Sequence, residues 1–117
     1  MSETPNQKWS RYRNAALTNT PILVRSGPAD IYGYTVNNPN AAEEFFLMFD
    51  AADIGDITLG TTVPDEPVKL PASGAVVETP RAFPITSFTK GLVIVATTTE
   101  AGNTAPGTAL SVVVRYK

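Results

Sequence analysis

The sequence predicts an all-β fold, a single-domain β-sandwich or jelly roll of about seven to eight short antiparallel strands behind an extended N-terminal arm. Three observations lead there. Apolar residues recur with period two in short runs. The ten prolines and eight glycines fall mostly between those runs, where turns need them. The chain has 117 residues, the size of one ordinary domain.

The elements follow in order. Residues 1–20 show no strand pattern and are expected as an arm, with the body spanning 21–117. "TPILVRSG" (20–27) reads as a strand closed by Gly27 and Pro28, and "ADIYGYTVNNP" (29–39) as a second that stops at Asn37-Asn38-Pro39. "EEFFLMFDA" (43–51) is the third. Its rival is a helix with Asn38 as N-cap, Pro39 in the first turn, and Phe45, Met48, Phe49 and Ala52 on one face. The aromatic content of 45–49 favours the strand. A turn-rich stretch runs to Thr62. "PVKLP" (67–71), fenced by prolines, suits a sheet edge. "GAVVET" (74–79) follows, then one long strand over 85–99 with a bulge or bend at Gly91, and a final strand over 109–117.

Composition excludes much chemistry. The chain contains neither cysteine nor histidine, so it has no disulfide, no thiolate zinc site, no Ser-His-Asp arrangement and no general base that titrates near neutral pH unshifted. No catalytic residue, metal site or cofactor is expected, and the chain reads as a non-enzyme. No apolar run approaches ~18 residues, so no membrane-spanning helix is expected. The opening residues lack an apolar signal core, and the expectation is synthesis in the cytoplasm without an export signal. Charge is uneven: residues 1–26 hold Lys8, Arg11, Arg13 and Arg25 against Glu3, a net +3, whereas residues 27–117 carry a net −5. A basic arm before an acidic body points to contact with an acidic surface. Four cations are thin for nucleic acid, which normally meets more charge with interleaved aromatics. An acidic protein surface, a neighbouring copy included, fits better.

Two carboxylate clusters invite a site reading. Asp50, Asp53 and Asp56 in "DAADIGD" are three apart, not the alternating spacing of a calcium loop, and no bidentate Glu follows. They read as a turn in which Asp caps backbone amides. Glu43 and Glu44 are adjacent on a strand and therefore point to opposite faces. Trp9 and Tyr12, beside Lys8, Arg11 and Arg13, could stack on bases or sugars, but read more simply as anchors of the arm on an apolar patch. A carbohydrate-binding module would gather such aromatics in a loop. Trp9, Tyr12, Tyr32, Tyr34 and Tyr116 are scattered instead.

Several strands are apolar on both faces. Leu92, Ile94 and Ala96 oppose Val93 and Val95; Phe45, Leu47 and Phe49 oppose Phe46 and Met48; Val112 and Val114 oppose Val113 and Arg115. A two-layer sandwich buries one face of each sheet, and exposing the other would forgo roughly 1.5–3 kcal/mol per large side chain. The expectation is that the arm, a second copy or a larger assembly covers that face. Val93, Val95, Val113 and Arg115 then mark self-association.

The order "ADIYGYTVNNPNAAEEFFLMFDA", "LGTTVPDEPVKLPASGAVVE" and "FPITSFTKGLVIVATTTEAGNTAP" resembles a family of small tailed-phage virion proteins over about residues 29–105. The residues that carry the likeness are Tyr32-Gly33, Asn37-Asn38, Phe49-Asp50, Gly60-Thr61 with Pro64, residues 67–72 and residues 88–98. "PRAFPI" (80–85) departs from it, because relatives more often have glycine before the next strand. The resemblance implies a capsid decoration, or cement, protein: a jelly-roll or sandwich body, frequently trimeric, seated outside an icosahedral shell in contact with the major capsid protein. In that setting Trp9, Arg11, Tyr12 and Arg13 of the arm would clamp an acidic capsid or subunit surface, and removing residues 2–19 would leave the body folded but abolish or weaken particle binding. A tail, neck or head-fibre component is the alternative within the same biology.

Overall fold

The protein is described here by a computed structural model, which covers residues 9–80 and 82–117. The first eight residues of the expected arm, Lys8 among them, and Arg81 of "PRAFPI" lie outside the described residues. Among the described residues nine strands form: β1 (Ser10–Leu17), β2 (Ile22–Ser26), β3 (Ala29–Asn37), β4 (Glu44–Asp50), β5 (Glu66–Leu70), β6 (Ala75–Glu78), β7 (Thr86–Phe88), β8 (Gly91–Thr97) and β9 (Leu110–Tyr116). One sheet has the order β1-β9-β3-β6, with β7 also on β3, and the other the order β2-β8-β4-β5. Every pairing is antiparallel. The result is an all-β domain of two antiparallel sheets, consistent with a β-sandwich.

Period-two alternation builds the core. Val112 and Val114 of β9, Ile31 and Val36 of β3, Phe46 and Met48 of β4 and Ile94 of β8 are buried in one cluster drawn from both sheets. Tyr34 packs its ring against Phe46, 5.9 Å between centroids. The 43–51 run is a strand and not a helix: its two apolar faces are buried separately, Phe46 and Met48 between the sheets and Leu47 and Phe49 outside them. β5 sits at a sheet edge, as its prolines require.

Two expectations change. Residues 10–17 are not an arm lacking strand pattern; they are β1, paired with β9 from Ser10 opposite Tyr116 to Leu17 opposite Leu110. An irregularity between Asn14 and Leu17 breaks the alternation that would have betrayed the strand. Leu17 is 1% exposed and Tyr12 packs on the core, so removing residues 2–19 would strip apolar cover and leave one edge of β9 unpaired, its other edge still on β3. The run 85–99 is likewise two strands in different sheets, β7 on β3 and β8 between β2 and β4. The crossing falls at Thr89 and Lys90, and Gly91 is needed directly after it. A Cβ there would collide with the Ala51 carbonyl oxygen and lie 2.6 Å from that of Arg25.

Candidate docking face

The side chains of β1, β9 and β3 that turn away from the core make one continuous face. In β1 the core side takes Tyr12 and Leu17, which leaves Arg11 and Arg13 pointing outward and exposed. In β9 the buried Leu110, Val112 and Val114 alternate with half-buried Val113 and Arg115. Register then sets the neighbours. Arg11 is directly opposite Arg115, and Arg13 opposite Val113. On the far side of β9, Arg115 faces Gly33 and Val113 faces Thr35. Directly opposed side chains in an antiparallel pair stand about 4.5–5.5 Å apart at Cβ, and like charges so placed repel. None of Arg11, Arg13 and Arg115 makes an ion pair among the described residues.

An aromatic pair ends the face. Trp9, one residue before the Ser10–Tyr116 pair, stacks on Tyr32 of β3 with centroids 5.9 Å apart and planes 22° from parallel. The two rings reach each other across the end of β9, where Lys117 and Asp30 exchange backbone hydrogen bonds of 2.9 and 3.0 Å. Asp30 is an acid on this side of β3. Val77 of β6, opposite Thr35, extends the surface and is 59% exposed. In the connection that follows, Phe83 is 78% exposed.

The structure thus divides the expected contact residues. Trp9, Arg11 and Arg13 share the outer face with Val113 and Arg115, two groups that the sequence had assigned to separate contacts. Tyr12 does not join them: it turns inward, and its hydroxyl accepts a hydrogen bond from the Asn14 side chain at 3.1 Å. Val93 and Val95 are fully buried within the chain, so no second copy can touch them as the fold stands. Their cover is the segment 51–65 between β4 and β5, which was not among the expected covers. Ile57 and Leu59 of that segment pack on Leu47, Phe49, Val93 and Val95.

That cap is acidic. Residues 50–66 contain five carboxylates and no basic residue. Asp50 anchors the sheet crossing: its carboxylate accepts from the backbone N–H groups of Lys90, Thr89 and Gly91 at 2.8, 3.2 and 3.3 Å, and from the Thr89 hydroxyl. Burial alone would raise its pKa, but those donors outweigh it and hold the group below its ordinary value. Asp53 accepts from the Gly55 N–H at the start of a 3-10 turn, Ile54–Asp56, and Asp65 accepts from the Asp50 N–H at 2.7 Å. Asp50 and Asp53 therefore cap amides, as expected. A cavity of about 310 Å³ opens beside them, lined by Phe49, Asp50, Asp56, Ile57, Asp65 and Lys90 among others. Among the described residues no group of three or more acids is placed to hold a metal ion.

Glu43 and Glu44 separate as the strand geometry requires. Glu43 is exposed and pairs with Lys69 at 3.5 Å, whereas Glu44 is 3% exposed with its Oε1 unpartnered. Burial pushes the Glu44 carboxyl up from its usual range. The Tyr34 hydroxyl is pushed up to about 12, first by burial and then by Glu78 and Glu66.

The Trp9–Tyr32 stack and the acidic cap were the features that sequence reasoning missed. The scattered Ile54, Ile57 and Leu59 in an otherwise turn-like stretch were the available signal for the cap. Comparison with known proteins found no matching family, no similar curated protein and no similar solved structure.

Proposed function

We propose that the chain is a non-catalytic structural protein of a virion, a capsid decoration protein that docks with the outer face of its five-stranded sheet on an acidic surface of the major capsid protein. The observation that carries this reading is the Arg11–Arg115 pair, opposed across β1 and β9 with no carboxylate on either guanidinium among the described residues. Such a pair costs stability in the free protein and is relieved by a partner's carboxylates, which guanidinium binds in a two-pronged geometry. Trp9 and Tyr32 at the end of the face and Val113 beside Arg13 supply apolar area next to the charges. Each contact is modest, and many copies on one particle multiply it. The jelly-roll form of the sandwich, trimeric assembly and a place on the shell exterior come from the family resemblance and belong to the same proposal.

The test is quantitative mass spectrometry of purified particles, with the wild-type chain and with Arg11→Glu/Arg115→Glu. Close to one copy per major capsid protein, lost in the variant, is the expected result. A handful of copies would move the protein to the tail, neck or a fibre. Full occupancy by the variant would overturn the docking face.

A further inference from the structure

The two outer faces of this molecule are complementary to each other. On one side lie Arg11, Arg13 and Arg115; on the other, the cap carries exposed Asp53, Asp56 and Asp65. Both faces also carry exposed apolar side chains. Ile54 and Val63, 44% and 76% exposed, are on the cap, and Val77 is on the basic face. Apolar contact beside opposed charge is how protein interfaces are composed.

We infer that a second copy of this chain docks its acidic cap, through Asp53 and Asp56, on the Arg11–Arg13–Arg115 face of the first. The inference rests on reading that face as a docking surface for carboxylates, and it names the chain's own cap as one of its partners. Because the two surfaces lie on opposite sides of the sandwich, the contact is head-to-tail and leaves one free basic face and one free cap on any stack. A stack can therefore still dock on an acidic partner through its terminal basic face.

Sedimentation velocity on the full chain tests this at about 0.02 M and about 0.5 M salt, where screening differs severalfold in range. The wild type is expected to associate at low salt, with an apparent dissociation constant about tenfold or more weaker at high salt. Arg11→Gln/Arg13→Gln and Asp53→Asn/Asp56→Asn are each expected to be monomeric, with melting curves showing that both fold. Mixed one to one, they retain a single intact face and a single intact cap between them and should form dimers that grow no further. A monomeric wild type at low salt, variants that still associate, or a mixture that stays monomeric would each overturn the inference. Arg11-dependent binding to particles by a wild type that does not self-associate would sink the stack while sparing the proposed function. Self-association without such binding would do the reverse.

Discussion

At opposite ends of β4, Glu44 and Asp50 place their carboxyl groups in surroundings that pull in contrary directions. Asp50 is held ionised by the amides of Lys90, Thr89 and Gly91, so it contributes stability above its unfolded pKa of 3.8 that is lost as pH falls through the lower folded value. Glu44 has no such donors. Its folded pKa lies above 4.5, so the native state binds more protons than the unfolded chain between those two values. Stability therefore falls as pH climbs through that interval and levels off above it. Glu44→Gln should abolish the falling limb and raise stability near pH 7 by about 1 kcal/mol, the scale of one unmet buried polar group. Urea titrations from about pH 2 to about pH 8 read both effects, Asp50 at the acid end and Glu44 above it; an unchanged slope above pH 4.5 in the variant would show that another group titrates there. Alternation had separated Glu44 from Glu43, but nothing in the sequence distinguishes a buried carboxyl from a solvated one.

Among the elements, those that obey a period were legible and those held by single contacts were not. Residues 29–37 and 110–116 announce themselves through alternation and 44–50 through aromatic content, and the burial of β9 from Leu110 to Val114 follows its alternation residue by residue. The β7–β8 crossing was half visible, because Gly91 marks a bend but says nothing about a change of sheet. β1 was hidden by its irregularity after Asn14 and by arginines that look like those of a solvated arm. The cap was hidden for another reason: Ile57 and Leu59 cover Val93 and Val95 from an irregular segment whose apolar residues follow no repeat. Ile57→Ala/Leu59→Ala should cost about 2–4 kcal/mol and uncover that second cluster, since both side chains are only partly buried. Increased binding of a hydrophobic dye alongside the lower melting temperature would follow. Loss of stability without dye binding would mean that other residues close over the gap.

For the molecule as a whole, pairing of β1 with β9 joins residues 10–17 to the last strand in one cooperative unit. Trp9 is the sole tryptophan, and its stack on Tyr32 makes it a reporter of that closure. Its fluorescence should follow the same denaturant transition as far-ultraviolet circular dichroism, as a two-state domain requires. A tryptophan transition at lower denaturant would return residues 9–17 to the status of an appendage. The large sequence separation of β1 and β9 also predicts folding in milliseconds to seconds. The same pairing has a mechanical consequence. Because the strands are antiparallel and Ser10 stands opposite Tyr116, tension applied at those two residues breaks the ladder one hydrogen bond at a time, from the end inward. Force that enters through the outer face is shared by β1, β9 and β3 together and loads their ladders in parallel. The protein is therefore weak when tugged at Ser10 and Tyr116 and stiff when pressed on its face.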